Sequence, residues 1–283
     1  MFRNPKLAAA VYASQKTPRS PSDIVLEVSS GMALGDLPGG APTACWVFTN
    51  AESVRLYRGN DYIAAFSPDR HGRFAAMPHP PIEINDFVGS LLEKYEGMDP
   101  PSAQAAASIL NDMRRCAMEL SPLSKARMLS LRLSWNEVAR MYCKYIGILG
   151  SPSPVYRFEA VWHGRVVGTV VREPVQSVRL ECTVHNPLLT DGPTWDCAAV
   201  SLRAIDQNGN LLPYCGEAVQ LSVEGPVKIL GPAIVPLRGG MAGTYLATTG
   251  EAGRAVLHCR MEGALDVEAA LTVRKRSGAE NAN

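Results

Sequence analysis

Turn signals in the C-terminal third of the chain constrain its fold more than any other feature. Asn208-Gly209, Gly225-Pro226 and Gly239-Gly240 interrupt short apolar runs, and the alternating segment Ala255 to Met261 follows a further tight turn. Short alternating strands separated in this way are typical of a β-sandwich. We therefore predict a β-sandwich module here, with two strands meeting at the Asn-Gly turn.

Hydrophobic periodicity predicts a second module upstream of the first. From Asp23 to about Asp86 the residues alternate as strands do, and the alternation resumes in a hairpin from Val155 to Val171. Between these segments, residues 87–149 carry apolar side chains at helical spacing. We therefore expect a mainly β fold, with two immunoglobulin-like β-sandwich domains and a small helical insertion in the first. The hairpin is expected to pair into the same sheet system as Ile24 to Phe66.

The same patterns predict where the domains begin and end. A chain of 283 residues is long enough for two domains, each with its own core. The predicted boundaries are 1–18 for a helix and linker, 19–176 for the first sandwich with its insertion at 87–149, 177–275 for the second sandwich, and 276–283 for a disordered tail.

Composition disfavours two classes of partner. The net charge is +1, and the one basic run, Arg274 to Arg276, begins a polar tail. A chain without a basic face offers little to nucleic acid or to an anionic membrane surface. No segment approaches the roughly 20 apolar residues of a membrane span, and the N-terminus lacks the apolar core of a signal peptide. We expect neither a nucleic-acid partner nor a membrane partner.

The seven cysteines indicate a reducing compartment. Their number is odd, and there is no CxxC pair or Cys/His cluster, so a zinc site is disfavoured. Cys45, Cys182 and Cys259 occupy apolar positions of predicted strands, where a thiol packs as a small hydrophobe. P-loop and GxSxG motifs are also absent, and no GxGxxG follows a strand. We expect a cytoplasmic protein without a cofactor.

Several runs of the sequence carry a resemblance to a known family. Pro78 to Gly89 and Asp206 to Gly253 resemble runs in the C-terminal, post-barrel region of bacterial family-2 glycoside hydrolases, the β-galactosidase and β-glucuronidase class. Val47 to Tyr57 is similar to a strand pair in the first sandwich after the family's catalytic barrel. Met1 to Ala9 is similar to the last helix of that barrel, so the chain is expected to begin where the barrel ends. The resemblance extends from Phe2 to about Val273.

The resemblance implies an accessory function. In this family the catalytic residues lie in the barrel, and the parent enzymes hydrolyse β-linked sugars such as β-galactosides. We therefore expect non-catalytic accessory domains that pack on and support a barrel absent from this chain, and we expect the chain alone to be inactive.

One Asn-Glu pair invites a catalytic interpretation, because the family's acid/base glutamate follows an asparagine. A retaining glycosidase needs two carboxyl groups roughly 5 Å apart. Asn136-Glu137 lies at the start of a helical run instead, and Ser134 stands three residues before Glu137. This spacing predicts a capping box. No β/α alternation surrounds the pair, so we expect no catalytic residue in the chain.

A calcium-like spacing has a similar alternative explanation. Asp206, Asn208 and Asn210 have the spacing of the first three ligands of a calcium loop, and Glu217 falls at the twelfth position. The position that requires glycine is Leu211, and strands rather than helices flank the segment. A hairpin turn explains the pattern better, so no metal is expected.

Exposed aromatic rings are the remaining candidates for sugar contact. Trp195 and Tyr214 lie near predicted turns, and His79 lies among prolines. Rings of this kind can stack on a pyranose ring or cap the edge of a sandwich core. Trp162 is expected on a buried strand face.

The N-terminal segment is the candidate for docking. Residues 2–16 are predicted to form one helix, with Leu7, Val11 and Tyr12 on one face. An apolar stripe needs a partner, so the helix is expected to lie against the first sandwich, to be buried by a second copy of the chain, or to be mobile.

Two alternative functions stay open. In one alternative, the chain is a free-standing carbohydrate-binding or protein-interaction module. In the other it is a separately encoded subunit that docks on a barrel-bearing partner. The expected partners are therefore a catalytic barrel in cis or in trans, a second copy of the chain, or carbohydrate.

Overall fold

The computed structural model describes residues 5–29, 44–116, 119–147 and 154–276. The predicted loop Gly35 to Gly40 lies outside the described residues, as do Met1 to Asn4 and most of the predicted tail. The chain forms two compact units, which we call the N-terminal unit (Pro5–Pro174) and the C-terminal unit (from Val175). No helix in the described ranges is both long and apolar enough to cross a membrane.

In its described residues, the N-terminal unit combines seven strands with five α-helices. In chain order the elements are α1 (Leu7–Ala13), β1 (Leu26–Val28), β2 (Cys45–Thr49), β3 (Ser53–Arg58), β4 (Asp61–Phe66), β5 (Ile82–Ile84), α2 (Leu91–Glu96), α3 (Pro100–Arg115), α4 (Pro122–Ser130), α5 (Trp135–Tyr145), β6 (Tyr156–Trp162) and β7 (Arg165–Arg172).

Two antiparallel sheets form this unit. One has the order β1-β2-β5 and the other the order β4-β3-β6-β7. β6 pairs with β3 from Ser53↔Val161 to Arg58↔Tyr156, although the whole helical insertion separates them in sequence. The prediction that the hairpin after the insertion pairs with the strands before it is therefore confirmed.

The β6–β7 hairpin turns at His163-Gly164, where both residues have positive φ (49° and 72°). This conformation suits the right-handed twist of the flanking strands. The pairing register shifts between Ala160 and Val161. Because of this bulge Val161 is buried, whereas Trp162 is only half-buried. The prediction that Trp162 lies on the buried face was wrong, since strict alternation ends at the bulge.

The helical insertion packs on the strands through an apolar face. Asp99 caps α3 by accepting a hydrogen bond from the Ser102 amide at 3.2 Å, ahead of prolines in the first turn. The apolar side chains of α3 and α5 join the core of the strands, among them Ile109, Leu110, Met113, Val138 and Met141. The predicted insertion between the strands of the first sandwich is confirmed.

The C-terminal unit is a sandwich of nine strands. They are β8 (Arg179–Val184), β9 (Leu188–Asp191), β10 (Cys197–Ile205), β11 (Ala218–Glu224), β12 (Val227–Leu230), β13 (Ile234–Pro236), β14 (Met241–Thr248), β15 (Gly253–Met261) and β16 (Val267–Lys275). One sheet has the order β12-β14-β10-β8 and the other β13-β11-β15-β16-β9. Inward-facing residues of both sheets share one core. The predicted fold class, mainly β with two sandwiches and a helical insertion, is confirmed.

Two local predictions need correction. The Asn208-Gly209 turn does not join two paired strands, because only one bridge, Ile205↔Leu211, closes it. The chain then crosses to the opposite sheet, and Leu212 enters the core. The first helix is also shorter than the predicted 2–16, since the residue before it, Lys6, is extended (φ −95°, ψ 166°) and makes no side-chain cap.

Candidate functional site

A cavity of about 720 Å³ opens in the N-terminal unit between β4, the segment after β5, and helices α2 to α4. Its lining includes Asp86, Glu93, Asn111, Asp112 and Arg127. The volume falls within the range of small-molecule sites, and the charges of both signs suit a polar ligand. This cavity is therefore the candidate site that the fold presents.

Much of the polar lining is held by the protein itself. Oδ1 of Asp86 accepts hydrogen bonds from the amides of Val88 (2.8 Å) and Gly89 (3.1 Å) and from Nδ2 of Asn111 (2.7 Å). Oδ1 of Asn111 accepts from the amide of Phe87 at 3.1 Å. These bonds tie α3 to the segment after β5. Both side chains therefore hold structural elements in position.

Asp112 connects α3 to α4 in the same cavity. Its Oδ2 accepts a hydrogen bond from Oγ of Ser124 at 2.6 Å. Hydrogen bonding from Ser121 and Ser124 lowers the pKa of this carboxyl group below its usual value. Asp112 is thus ionised at neutral pH, which suits an anchor for the helix pair and not a proton donor.

The direction of the carboxyl pKa shifts is the same throughout the described residues. A glycosidase general acid needs a raised pKa, so that it carries a proton at neutral pH. Within the described ranges, each carboxyl group with a displaced pKa has it lowered, in every case chiefly by a hydrogen bond: Asp23, Asp61, Glu96, Asp99, Asp112, Glu137 and Asp191. None of these seven carboxyl groups has the raised pKa that a general acid needs.

Glu137 has the structural position that the sequence predicts. The Ser134 amide donates to Oε2 of Glu137 at 2.7 Å, and the Glu137 amide donates to Oγ of Ser134 at 3.3 Å. This is a capping box at the start of α5, so that prediction is confirmed. The hydrogen bonds from Ser134 lower the pKa of Glu137, opposite to the shift that an acid catalyst needs.

Asp206 organises a turn in the C-terminal unit. Oδ1 accepts from the amides of Asn208 and Asn210, both at 2.8 Å, and Oδ2 accepts from Nδ2 of Asn210 at 2.8 Å. The carboxylate oxygens that a calcium ion would need thus hold the turn itself. Among the residues that the structure describes, no group of three or more His, Cys, Asp or Glu side chains is placed to hold a metal ion.

Trp195 and Tyr214, two of the candidates for sugar contact, flank opposite ends of one strand. Trp195 and Tyr214 are 60% and 80% exposed. Trp195 precedes the start of β10 and Tyr214 follows its end, so a nine-residue strand of about 27 Å lies between their positions along the chain. His79 belongs to the other unit and is half-buried. Each aromatic ring could contact a sugar only as a separate surface.

His79 contributes mainly through its backbone. Its amide donates to Oε1 of Gln15 at 3.0 Å, and its carbonyl accepts from Nε2 of Gln15 at 3.0 Å. This pair of bonds fastens the end of the α1 segment to the strand-bearing part of the unit. Burial lowers the pKa of the His79 imidazole, and nearby Arg70 lowers it further.

The predicted docking residues lie on α1, which is held at one end and open on one face. Oγ of Ser14 donates to the Val11 carbonyl at 3.0 Å, and Ser14 is buried. Leu7 and Tyr12 are 43% and 80% exposed, whereas Val11 is half-buried. The helix therefore packs by Val11 and leaves Leu7 and Tyr12 facing solvent.

A smaller cavity, of about 360 Å³, lies beside His258 on the outer face of the C-terminal unit. Nδ1 of His258 is 3.1 Å from Oε1 of Glu268, and Nε2 is 3.7 Å from Oε1 of Glu224. Both carboxylates are largely exposed. The group forms ion pairs only when the imidazole is protonated, and their contribution at the surface is small.

Sequence reasoning missed the polar anchors of the insertion, above all Asn111 and Glu96. Asn111 is 6% exposed in the middle of the apolar stripe of α3. An asparagine among Ile109, Leu110 and Met113 was the available signal, because a buried amide requires partners. Glu96 gave no such signal, since its partners come from α5, more than forty residues later.

Comparison with known proteins agrees with the fold. No family model matches the chain. The chain is 29% identical over 240 residues to a β-galactosidase of Rhizobium meliloti, covering 84% of this chain and 24% of that protein. It is 24% identical over 261 residues to a β-galactosidase of Thermoanaerobacter pseudethanolicus, covering 92% of this chain and 28% of that protein. The chain thus spans about a quarter of the length of these curated relatives.

Solved structures show the same fold. A β-glycosidase from Bacteroides vulgatus matches with a TM-score of 0.58 at 12% identity, over 96% of this chain and 27% of that one. A β-glucuronidase from glycoside hydrolase family 2 matches with a TM-score of 0.53 at 13% identity, over 97% of this chain and 22% of that one. The relatives and the fold together confirm that this chain resembles the C-terminal region of the family-2 glycoside hydrolases of the β-galactosidase and β-glucuronidase class.

Proposed function

We propose that this chain forms non-catalytic accessory domains of a family-2 glycoside hydrolase of the β-galactosidase type, and that it packs on and supports a catalytic barrel. One observation carries the proposal: β-galactosidases match 84–92% of this chain, yet the chain spans only 24–28% of their length. The match is therefore to one region of a larger enzyme. Hydrolysis of β-galactosides is a property of the relatives, and we extend it to this protein only as part of the proposal.

The chemistry of the described residues supports an accessory function. The carboxylates of Asp86, Asp112 and Glu137 accept hydrogen bonds that hold helices and loops in place. Hydrogen bonding lowers the pKa of Asp112 and of Glu137. Asp112 and Glu137 are therefore ionised at neutral pH and hold no proton for a leaving group.

We propose that the two units correspond to the domains 19–176 and 177–275, preceded by a docking segment at 1–18. Leu7 and Tyr12 support the docking assignment because they remain exposed on a helix whose other face is packed. Changing Leu7→Ser together with Tyr12→Ser weakens attachment to the barrel in this proposal. A cytoplasmic location is proposed as well, and the seven free thiols support it.

An activity assay tests the proposal directly. The 283-residue chain alone should not hydrolyse an aryl β-galactoside or an aryl β-glucuronide above the buffer rate. Added to a family-2 enzyme truncated after its barrel, the chain should raise the melting temperature or the activity of that enzyme, and Leu7→Ser with Tyr12→Ser should reduce this effect. Turnover by the chain alone that disappears in Glu137→Gln would contradict the proposal.

Glycan binding is the second candidate function, and the exposure of Trp195 and Tyr214 favours it. Titration of the chain with galactosides and β-linked oligosaccharides, followed by tryptophan fluorescence and calorimetry, tests it. Binding that is lost in Trp195→Ala or in Tyr214→Ala would establish that ring as a sugar platform. If neither the fluorescence nor the heat signal changes up to millimolar glycan, glycan binding is contradicted and only the accessory function remains proposed.

A further inference from the structure

Two thiols meet between the sheets of the C-terminal unit. Cys182 lies on β8 and Cys259 on β15, strands that belong to different sheets of the sandwich. Their sulfur atoms are 3.7 Å apart, and Sγ of Cys259 donates to Sγ of Cys182. Both residues are free cysteines. They are separated by 76 residues in sequence, so the sandwich fold itself brings them together.

We propose that Cys182 and Cys259 form a reversible intersheet disulfide when the protein meets a hydroperoxide. A disulfide bond is about 2.05 Å long, so the sulfurs must approach by less than 2 Å. β8 is an edge strand that pairs with β10 alone among the described strands, so an approach to the facing sheet would disturb only one set of strand hydrogen bonds.

Exposure decides which thiol reacts first. Cys182 is half-buried at the edge of the sandwich, whereas Cys259 is 1% exposed within the core. A small oxidant such as hydrogen peroxide therefore reaches Cys182 and not Cys259. The hydrogen bond from Cys259 also lowers the pKa of the Cys182 thiol and raises that of Cys259, so Cys182 provides the thiolate.

The chemistry then proceeds in two balanced steps. The Cys182 thiolate attacks one oxygen of the peroxide, which breaks the O–O bond, forms a sulfenic acid and releases hydroxide that takes up the proton lost by the thiol. The Cys259 thiol next attacks the Cys182 sulfur, forming the S–S bond and expelling the sulfenic oxygen as water with the remaining thiol proton. In sum, two thiols are oxidised, one peroxide is reduced and two waters leave.

The other cysteines provide an internal comparison. Cys116, Cys143 and Cys197 are exposed, Cys45 is buried, and Cys215 is half-buried beside the same core as the pair. Among the described residues, Cys182 and Cys259 are the only two cysteines whose thiols contact each other. A selective reaction at the pair therefore depends on its geometry, because exposure alone would favour Cys116, Cys143 and Cys197.

Oxidation of the full chain with a small molar excess of hydrogen peroxide tests the proposal. After catalase treatment the protein is unfolded in denaturant, the remaining thiols are alkylated with N-ethylmaleimide, and the protein is digested for mass spectrometry. The expected product carries five alkylated cysteines instead of the seven in the reduced chain, and a Cys182–Cys259 peptide that dithiothreitol separates. Closing a loop of about 78 residues should also raise the melting temperature of the C-terminal unit by roughly 10 °C.

Matched variants distinguish oxidation of the Cys182–Cys259 pair from oxidation of exposed thiols. Cys197→Ser removes an exposed thiol of the same unit and should form the cross-link normally. Cys182→Ser should abolish both the cross-link and the rise in melting temperature, and Cys182→Ala serves if the serine variant does not fold. Overoxidation of Cys182 with Cys259 still alkylated after unfolding would overturn the proposal. Preferential cross-links through Cys197 or Cys215 would do the same.

Discussion

Glu96 connects two helices of the insertion, and its removal has a calculable cost. It is the last residue of α2 and accepts hydrogen bonds from three groups on α5. Arg140 donates through Nη2 at 2.8 Å, Lys144 through Nζ at 2.8 Å and Tyr145 through its hydroxyl at 2.7 Å. A carboxylate at the C-terminus of a helix is unfavourable by itself, so these partners must offset the helix dipole as well as the burial.

The pKa of Glu96 sets an upper limit on the stabilisation. Hydrogen bonding from Arg140, then from Lys144 and Tyr145, lowers this pKa from 4.5 to about 2. A shift of this size corresponds to at most ~3 kcal/mol of folding free energy. The side chains of Arg140 and Lys144 are 56% and 49% exposed, so solvent screening reduces the expected contribution to about 1–2 kcal/mol.

Glu96→Gln should therefore destabilise the N-terminal unit by about 1–2 kcal/mol at pH 7. Because the folded pKa is depressed, the stabilisation is present in full above the unfolded value of 4.5 and is lost as the pH falls through about 2. The difference between wild type and variant should shrink across that interval. Urea denaturation at pH 7, 4 and 2.5 measures it, with the fluorescence of Trp135 on α5 as a nearby probe.

Glu93→Gln is the matched control, because Glu93 is exposed on the same helix. It makes the same chemical change without touching α5, so its cost at pH 7 should be clearly smaller. If Glu96→Gln is no more costly than Glu93→Gln at pH 7, or if its cost persists unchanged at pH 2.5, the carboxylate does not hold α2 to α5 in the way described.

Two further predictions concern local structure. Ser134→Ala removes the hydroxyl half of the capping box and should cost about 1 kcal/mol in denaturant unfolding, and Ser134→Asp should restore most of it, since aspartate also caps. Gly225 and Gly209 both have positive φ (86° and 81°), but a Cβ at Gly225 would lie 2.3 Å from the Arg254 carbonyl oxygen, whereas nothing lies within 4 Å at Gly209. Gly225→Ala should therefore lower the melting temperature of the C-terminal unit by several degrees more than Gly209→Ala, which bears only a backbone cost of about 1 kcal/mol, and equal losses would contradict the clash.

The fold class was predictable because its signals are local. Each of these patterns can be recognised within a short segment of sequence. Examples are the alternation in Cys45–Thr49 and Gly253–Met261 and the helical spacing in Trp135–Tyr145. The Ser134 capping box is equally local. The errors arise where tertiary structure overrides a local pattern, as at the bulge that turns Trp162 away from the core.

The candidate site was much less predictable. Asp86 and Asn111 meet at 2.7 Å although they lie 25 residues apart, and Cys182 meets Cys259 from the opposite sheet. No periodicity encodes which of many possible polar pairs a fold brings together. The residue types give a partial signal, since a buried asparagine or an inward-facing cysteine needs a neighbour, but the identity of that neighbour follows only from topology.

The use of the carboxylates links the fold to the proposed function. A carboxyl group that acts as a general acid must carry a proton at neutral pH, whereas hydrogen bonds accepted by a carboxylate stabilise its ionised form. Glu137 accepts hydrogen bonds from Ser134, Glu96 accepts from three side chains of α5, and the pKa of each is lowered. These carboxylates hold turns and helices in place. A scaffold whose acidic side chains are committed in this way is suited to present a rigid surface to a partner domain, which is the function that we propose for this chain.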